Sequence, residues 1–345
     1  MDMGPRAKTT SAATGTRRGR WPGLLALLAV AVLSAACSSI IKPIEPGNRY
    51  GTAAALAGEA FPDGADVALL ATGRSFADAL AAAPLSAARS GPILLTEPGA
   101  IPDETTEALD DLGVSEVILL GGPSAISEDV ADELGESYEV RRQAGDDRFQ
   151  TAAQLALLAH PDGADTVLLA TGADFADALA AAPLAAAEGA PILLAGADRL
   201  PAATSEALSE LGADRVLVLG GEAAIGAAVE AQLVADGYDV SRTAGTDRFD
   251  TAAQLAEAAF PDGAAVALLT TGRDFPDALA AAPLSAARGG PILLVDGNSV
   301  PPATSEALDD LGVDEVLLLG GTAVVGEPVA ERLAEADYEV TRFPD

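Results

Sequence analysis

Short aliphatic blocks set the rhythm of this chain. From about residue 50 onward, runs of four to six Ala, Val, Ile and Leu alternate with longer stretches in which apolar positions recur every three or four residues. The blocks read as strands and the periodic stretches as helices. In the first hundred residues of this pattern, helices are predicted over 52–60, 76–88, 103–112 and 128–134. Strands are predicted over 67–71, 93–96, 117–120 and 138–142. The first three strands are apolar on both faces, as in a parallel sheet covered by helices on each side. The last alternates, Tyr138 and Val140 against Glu139 and Arg141, as an edge strand does. Strands that alternate with helices build right-handed crossovers. Pro84 falls inside the second helix, so a kink or a restart is expected there.

The same pattern then occurs twice more. Arg49-Tyr50-Gly51-Thr52-Ala53 returns as Arg148-Phe149-Gln150-Thr151-Ala152 and as Arg248-Phe249-Asp250-Thr251-Ala252. Each copy carries Pro-Asp-Gly (62–64, 161–163, 261–263) and a strand ending in Thr-Gly (72–73, 171–172, 271–272). Each continues with Phe-x-Asp-Ala-Leu from Phe76, Phe175 and Phe275, then Pro-Ile-Leu-Leu (92–95, 191–194, 291–294) and a strand closing on Gly-Gly (121–122, 220–221, 320–321). Self-similarity at a fixed period identifies a repeat architecture. The fold class is therefore α/β, three tandem doubly wound parallel-sheet units, with boundaries expected at 48–145, 146–245 and 246–345. No linker separates the copies, so they are expected to pack together.

Composition narrows the chemistry. The 52 acids against 20 bases leave a formal net charge of −32. Nucleic acid and simple electrostatic docking on anionic lipid are both disfavoured. Aromatics make up only 4%, so the core must rest on small and branched aliphatics. Cys37 is the single cysteine, which excludes a disulfide framework. It stands directly behind a basic segment (Arg17, Arg18, Arg20), a fourteen-residue apolar run (23–36) and the small residues Ser34-Ala35-Ala36. That order marks a signal peptide over 1–36. It resembles a bacterial lipobox, with Cys37 as the lipidated first residue of the exported chain and 37–47 as a short tether to the membrane. A plain secretory signal is the other reading.

Traces of common enzyme classes are missing. There is no Gly-x-Ser-x-Gly, no His-Glu-x-x-His and no P-loop. The one histidine, His160, stands where the sister copies have Phe61 and Phe260, so it is read as a packing residue. Asp78, Asp177 and Asp277 follow Ser75, Asp174 and Asp274 at capping-box spacing and precede apolar helices. Helix capping and contact with a ligand or ion both remain open for them. Arg49, Arg148 and Arg248 stand at helix starts, where a cation opposes the helix dipole. Each needs compensation, from a neighbouring acid or from an anionic ligand held by the guanidinium fork. The Gly-Gly pairs suit a tight turn or close backbone approach to a ligand.

The Asp-Arg-Phe-type start, the Phe-x-Asp-Ala-Leu segment and the Pro-Ile-Leu-Leu strand together resemble the bacterial cell wall-binding repeat 2 family, over essentially everything from residue 47 onward. The resemblance implies three α/β modules around a pseudo-threefold axis and non-covalent attachment to anionic secondary wall polymers or other wall polysaccharide. No cofactor and no metal are implied. It also ties the Ile-Leu-Leu segment to polymer binding, here Ile93, Leu94 and Leu95, then Ile192, Leu193 and Leu194, then Ile292, Leu293 and Leu294. Those residues also read as buried strand, so their part would be to shape a site and not to touch polymer. Asn48 replaces the Asp147 and Asp247 of the other copies. Ala173 and Glu188 replace Arg74/Arg273 and Arg89/Arg288, which makes the second copy less basic and three equivalent sites doubtful. A solute-binding lipoprotein and a carboxylate-dependent enzyme are the alternative functions.

Overall fold

The computed structural model describes residues 48–343; the expected signal segment, the tether and Cys37 lie outside the described residues. The first unit runs α1 (Arg49–Ala60), β1 (Val67–Thr72), α2 (Ala82–Arg89), β2 (Ile93–Thr96), α3 (Asp103–Asp111), β3 (Glu116–Leu120), α4 (Glu128–Leu134) and β4 (Glu139–Gln143). The second follows with α5 (Arg148–Ala159), β5 (Thr166–Thr171), α6 (Ala176–Ala180), α7 (Ala182–Glu188), β6 (Ile192–Ala195), α8 (Ala202–Leu211), β7 (Arg215–Leu219), α9 (Ala227–Ala235) and β8 (Asp239–Thr243). The third has α10 (Arg248–Ala259), β9 (Val266–Thr271), α11 (Pro276–Arg288), β10 (Ile292–Val295), α12 (Pro302–Asp310), β11 (Glu315–Leu319), α13 (Glu327–Glu335) and β12 (Glu339–Phe343).

Each unit holds one four-stranded parallel sheet, in the order β2-β1-β3-β4 for the first and the corresponding orders for the others. The alternating strand is at one edge, as its pattern predicts. The Ile-Leu-Leu strand is at the other edge, yet every residue of it is buried. It is covered because the units pack against one another. Alternate side chains separate two cores. Leu69, Ala71, Ile93 and Leu95 enter a core shared by all three units, together with Leu168, Ile192, Leu268 and Ile292. Ala68, Leu70 and Leu94 face a private core closed by Leu109, Val130 and Leu134 of α3 and α4. Units two and three have private cores of the same composition. Buried Thr105, Thr204 and Thr304 each donate to the carbonyl of Leu95, Leu194 or Leu294 at 2.6 Å, fastening a helix to the edge strand.

Helix boundaries depart from the periodic reading in two places. The first helix of each unit starts at the arginine, three residues earlier than 52, because Asn48, Asp147 and Asp247 cap it. Their side chains accept from backbone N–H groups at 2.8–3.0 Å. The helix expected over 76–88 takes three forms. In the first unit only Ala82–Arg89 is helical, in the second the helix breaks at Ala181, and in the third it runs unbroken through Pro283. Pro84 and Pro183 fall in the first turn of a restarted helix, where a missing N–H costs nothing. Pro283 instead removes one internal bond, and burial of the whole apolar face sustains the helix across it. Among the described residues, no helix is long and apolar enough to cross a membrane.

Candidate functional site at the junctions between units

The units close into a ring. Helix α1 packs on α11 of the third unit, α5 on α2 of the first, and α10 on α6 and α7 of the second. Phe76, Phe175 and Phe275 meet at the centre, each ring touching the other two at centroid distances of 5.6–6.3 Å. The angled geometries suit the aromatic quadrupoles. Three inter-unit junctions surround this cluster, and every candidate Arg and Asp lies in one of them.

Each helix-start arginine is compensated first by its own unit. Arg49, Arg148 and Arg248 donate to the carbonyls of Gly73, Gly172 and Gly272. Those glycines are the Thr-Gly of the repeat. A Cβ on Gly73 would sit 2.7 Å from the Tyr50 ring and 2.9 Å from Arg49 Cδ, so only glycine admits the arginine and aromatic together. The second nitrogen reaches across the junction. Arg49 pairs with Asp274 at 3.4 Å, and Arg248 with Asp174 at 3.0 Å. Arg148 faces Ser75 at the corresponding place and forms no ion pair among the described residues. Its guanidinium lies 5.9 Å from the Phe76 ring centroid, and that of Arg248 lies 5.8 Å from Phe175.

The aspartates do not cap helices as their spacing suggests. Phe175 and Phe275 occupy the N-cap positions without a side-chain bond, and in the first unit Asp78 lies in a turn ahead of α2. Of backbone groups, Asp174 and Asp274 accept only the next residue's N–H, at 2.7 and 3.0 Å. The carboxylates of Asp78, Asp177 and Asp277 instead press against the first glycine of each Gly-Gly pair. A Cβ on Gly121 would stand 2.6 Å from Asp78 Oδ2, and φ there is +98°, which only glycine adopts readily. Gly220 and Gly320 repeat the arrangement. Asp78 accepts from the Thr151 hydroxyl at 3.1 Å, across the junction. Burial pushes the Asp177 carboxyl above its ordinary range, with Asp174 adding to the rise and Arg248 opposing it. Burial and Asp274 push Asp277 up to about 6 against the pull of Arg49.

The three junctions differ in charge. Beside Arg49, Arg74 grips Glu97 with two nitrogens at 2.7 and 2.6 Å, and Tyr50 donates to the same carboxylate at 2.6 Å. Beside Arg248, Arg273 pairs with Asp296. The second unit has Ala173 and Gly196 at these places, so the acid is missing along with the base. Likewise Arg89–Glu116 and Arg288–Glu315 pair at 2.7 Å, and the second unit exchanges the two signs as Glu188 and Arg215. The second unit is therefore not depleted in local positive charge, contrary to the reading of its missing arginines alone. A cleft of about 290 Å³ opens at the junction of the first and third units, lined by Arg49, Tyr50, Arg74, Glu97, Asp274 and Asp277 among others. Among the described residues, no group of three or more His, Cys, Asp and Glu is arranged to hold a metal ion.

Three stretches of the chain, 44–131, 142–230 and 242–330, match the Cell wall binding domain 2 (CWB2) family, one per sheet unit. The chain belongs to the CWB2 family. It is 28% identical over 315 residues to the N-acetylmuramoyl-L-alanine amidase LytC of Bacillus subtilis, covering 91% of this chain and 62% of the amidase. It is 28% identical over 291 residues to the amidase enhancer of the same organism, covering 84% of this chain and 40% of that protein. The solved structures of Cwp6 and Cwp8 from Clostridium difficile superpose with TM-scores of 0.76 and 0.74 at 25% and 28% identity. They cover 83% and 84% of this chain, and 47% and 50% of the matched chains. The chain thus spans about two fifths to three fifths of the length of these relatives.

Within the CWB2 units, the Ile-Leu-Leu residues are at most 1% exposed. Ile93, Leu95 and their counterparts face the shared core, and Leu94, Leu193 and Leu293 face the private ones. None presents a surface to a polymer. His160 closes the C-terminus of α5 where Phe61 and Phe260 pack, its Nε2 buried without a partner, and burial holds its pKa below the ordinary value. One set of residues stands outside the sequence-based candidates. Arg142, Arg242 and Arg342, on the alternating edge strands, donate to the carbonyls of Gly121, Gly220 and Gly320 and again a few residues on, at Ile126, Ile225 and Val325. They clamp the Gly-Gly turns. Their identity across the three copies was the available clue.

Proposed function

We propose that this chain is an exported wall-attachment protein that binds cell-wall polysaccharide non-covalently, without catalysing a reaction. The carrying observation is that residues 48–343 are occupied by three CWB2 units built around one shared core. We read the ring of junctions as the pseudo-threefold arrangement, and the junctions as the polymer-binding surface, with Arg49, Arg148 and Arg248 as its polar residues and Asp78, Asp177 and Asp277 setting the shape of the glycine turns beside them. The Ile-Leu-Leu strands act indirectly, by setting how closely the units approach. Cys37, on this reading, carries lipid and holds the units near the outer face of the membrane, since two or more acyl chains anchor stably.

Two features weigh against the alternatives. A solute-binding lipoprotein is expected to have two lobes around a deep cleft, whereas the three units here share their interior. A carboxylate enzyme needs an acid free to meet substrate, whereas Asp78, Asp177 and Asp277 are each pressed against a glycine turn.

Sedimentation with isolated cell walls tests the reading. The purified chain is expected to pellet with intact walls and to stay in solution when secondary polymer has been stripped from them. A chain that stays in solution across a range of salt and divalent cation would sink it.

A further inference from the structure

One junction is unlike the other two. Between the first and third units Arg49 and Arg74 meet Asp274, Asp277 and Glu97, and between the third and second Arg248 and Arg273 meet Asp174, Asp177, Asp247 and Asp296. Acids outnumber arginines at both. Between the second and first units the acids at two places have become Ser75 and Gly196. Asp78 remains, taken by the Thr151 hydroxyl, and Asp147, taken by capping α5. Arg199 enters only here, where the sister copies have Ala100 and Ser299. Arg199 lies across Gly196 and stands 6.0 Å from the Phe149 ring, and it forms no ion pair among the described residues. Arg148 Cδ and Phe149 both lie against Gly172, so both arginines border the same aromatic residue. In a chain of net charge −32, this is a junction where two guanidinium groups face no carboxylate partner.

We propose that the junction between the second and first units is the chain's single oxyanion site, in which Arg148 and Arg199 hold one carboxylate or phosphate group of a wall glycan. This deepens the wall-binding reading and rests on it for the source of the anion. Arg148 is the anchor, already fixed by the Gly172 carbonyl and the Phe76 face, so little side-chain freedom is lost on binding. A guanidinium fork suits a planar or tetrahedral oxyanion. Arg49 and Arg248 are closed to the same ligand because Asp274 and Asp174 occupy them.

The exposed Ser75 makes the test clean. Ser75→Asp restores the acid that the sister junctions carry and gives Arg148 an internal partner, so it is expected to fold and to melt no lower than wild type. Calorimetric titration of the full chain with inorganic phosphate and, separately, with glucuronate is expected to show one site per chain for at least one probe. The tighter probe identifies the source as phosphodiester or uronic acid. Ser75→Asp is expected to weaken that binding by at least about tenfold, and Arg199→Ala to weaken it several-fold. Three equal sites, no binding of either probe, or unchanged affinity in Ser75→Asp would overturn the proposal. Wall sedimentation run alongside separates the two ideas: walls bound with neither probe bound removes this site and leaves wall attachment standing. One probe bound at one site with no walls bound keeps the site and removes the wall reading.

Discussion

At the scale of single residues, Asp277 is the group whose environment conflicts most with its charge. It is 7% exposed, and its carboxyl titrates near 6 in place of 3.8. The folded state therefore holds its proton more tightly than the unfolded state. Between about pH 4 and pH 6 the folded chain binds more protons at this group, so the group's contribution to stability declines as pH rises through that window. Asp277→Asn keeps the shape without the charge. It is expected to raise stability at pH 7 on the order of 2 kcal/mol and to remove that part of the pH dependence, as thermal melts from pH 4 to pH 8 will show. His160 works in the opposite sense, its lowered pKa costing stability as pH falls through about 6.5. A native residue that destabilises at neutral pH and recurs in all three copies, as this aspartate does, is consistent with a role beyond packing.

At the scale of elements, the Gly-Gly turns divide their work unequally. Gly121 combines a positive φ with the Asp78 carboxylate at 2.6 Å from any added Cβ, while Gly122 has nothing within 4 Å. Gly121→Ala is expected to cost at least about 2 kcal/mol, and Gly122→Ala to lie within about 0.5 kcal/mol of wild type. Chemical denaturation of the two variants distinguishes them. The same level shows what the amino-acid pattern reveals. Strands and sheet edges were legible, because alternation and aliphatic runs report burial directly. The Asp-x-x-Asp and Ser-x-x-Asp spacing misled, because a capping box and a carboxylate seated on a neighbouring turn have the same local sequence. The missing arginines of the second unit misled for a related reason. Ala173 looks like a lost charge until Gly196, 23 positions on, is found opposite it. Arg49 was legible as a helix-start cation in need of compensation, but its partners were not, because they are the Gly73 carbonyl and an acid of another unit.

At the scale of the whole molecule, the shared core makes the units depend on one another. Leu and Ile side chains of all three sheets fill it, and the three phenylalanines close its centre. Phe76→Ala opens a cavity bordered by every unit and is expected to cost about 3–5 kcal/mol. Unfolding is expected to stay a single transition, in wild type and variant alike, because loss of one unit exposes the inner face of the other two. Calorimetry showing separate transitions for separate units would contradict this.

The contact of β12 with α1 has a further consequence. Strands β4 and β8 touch α5 and α10 in the same way, there joined by the short connectors 144–147 and 244–247. Only the last of the three seams lacks a peptide link. Topologically the described chain is an interrupted circle, and the interruption falls at one of three similar places. Cutting at 144–147 and splicing Phe343 to Asn48 through a connector of comparable length would preserve the same packing with a different unit leading. The order in which the units are translated is then free to vary, and what distinguishes them is the pair of neighbours each one faces. Ser75 and Arg148 would stay together whichever unit came first.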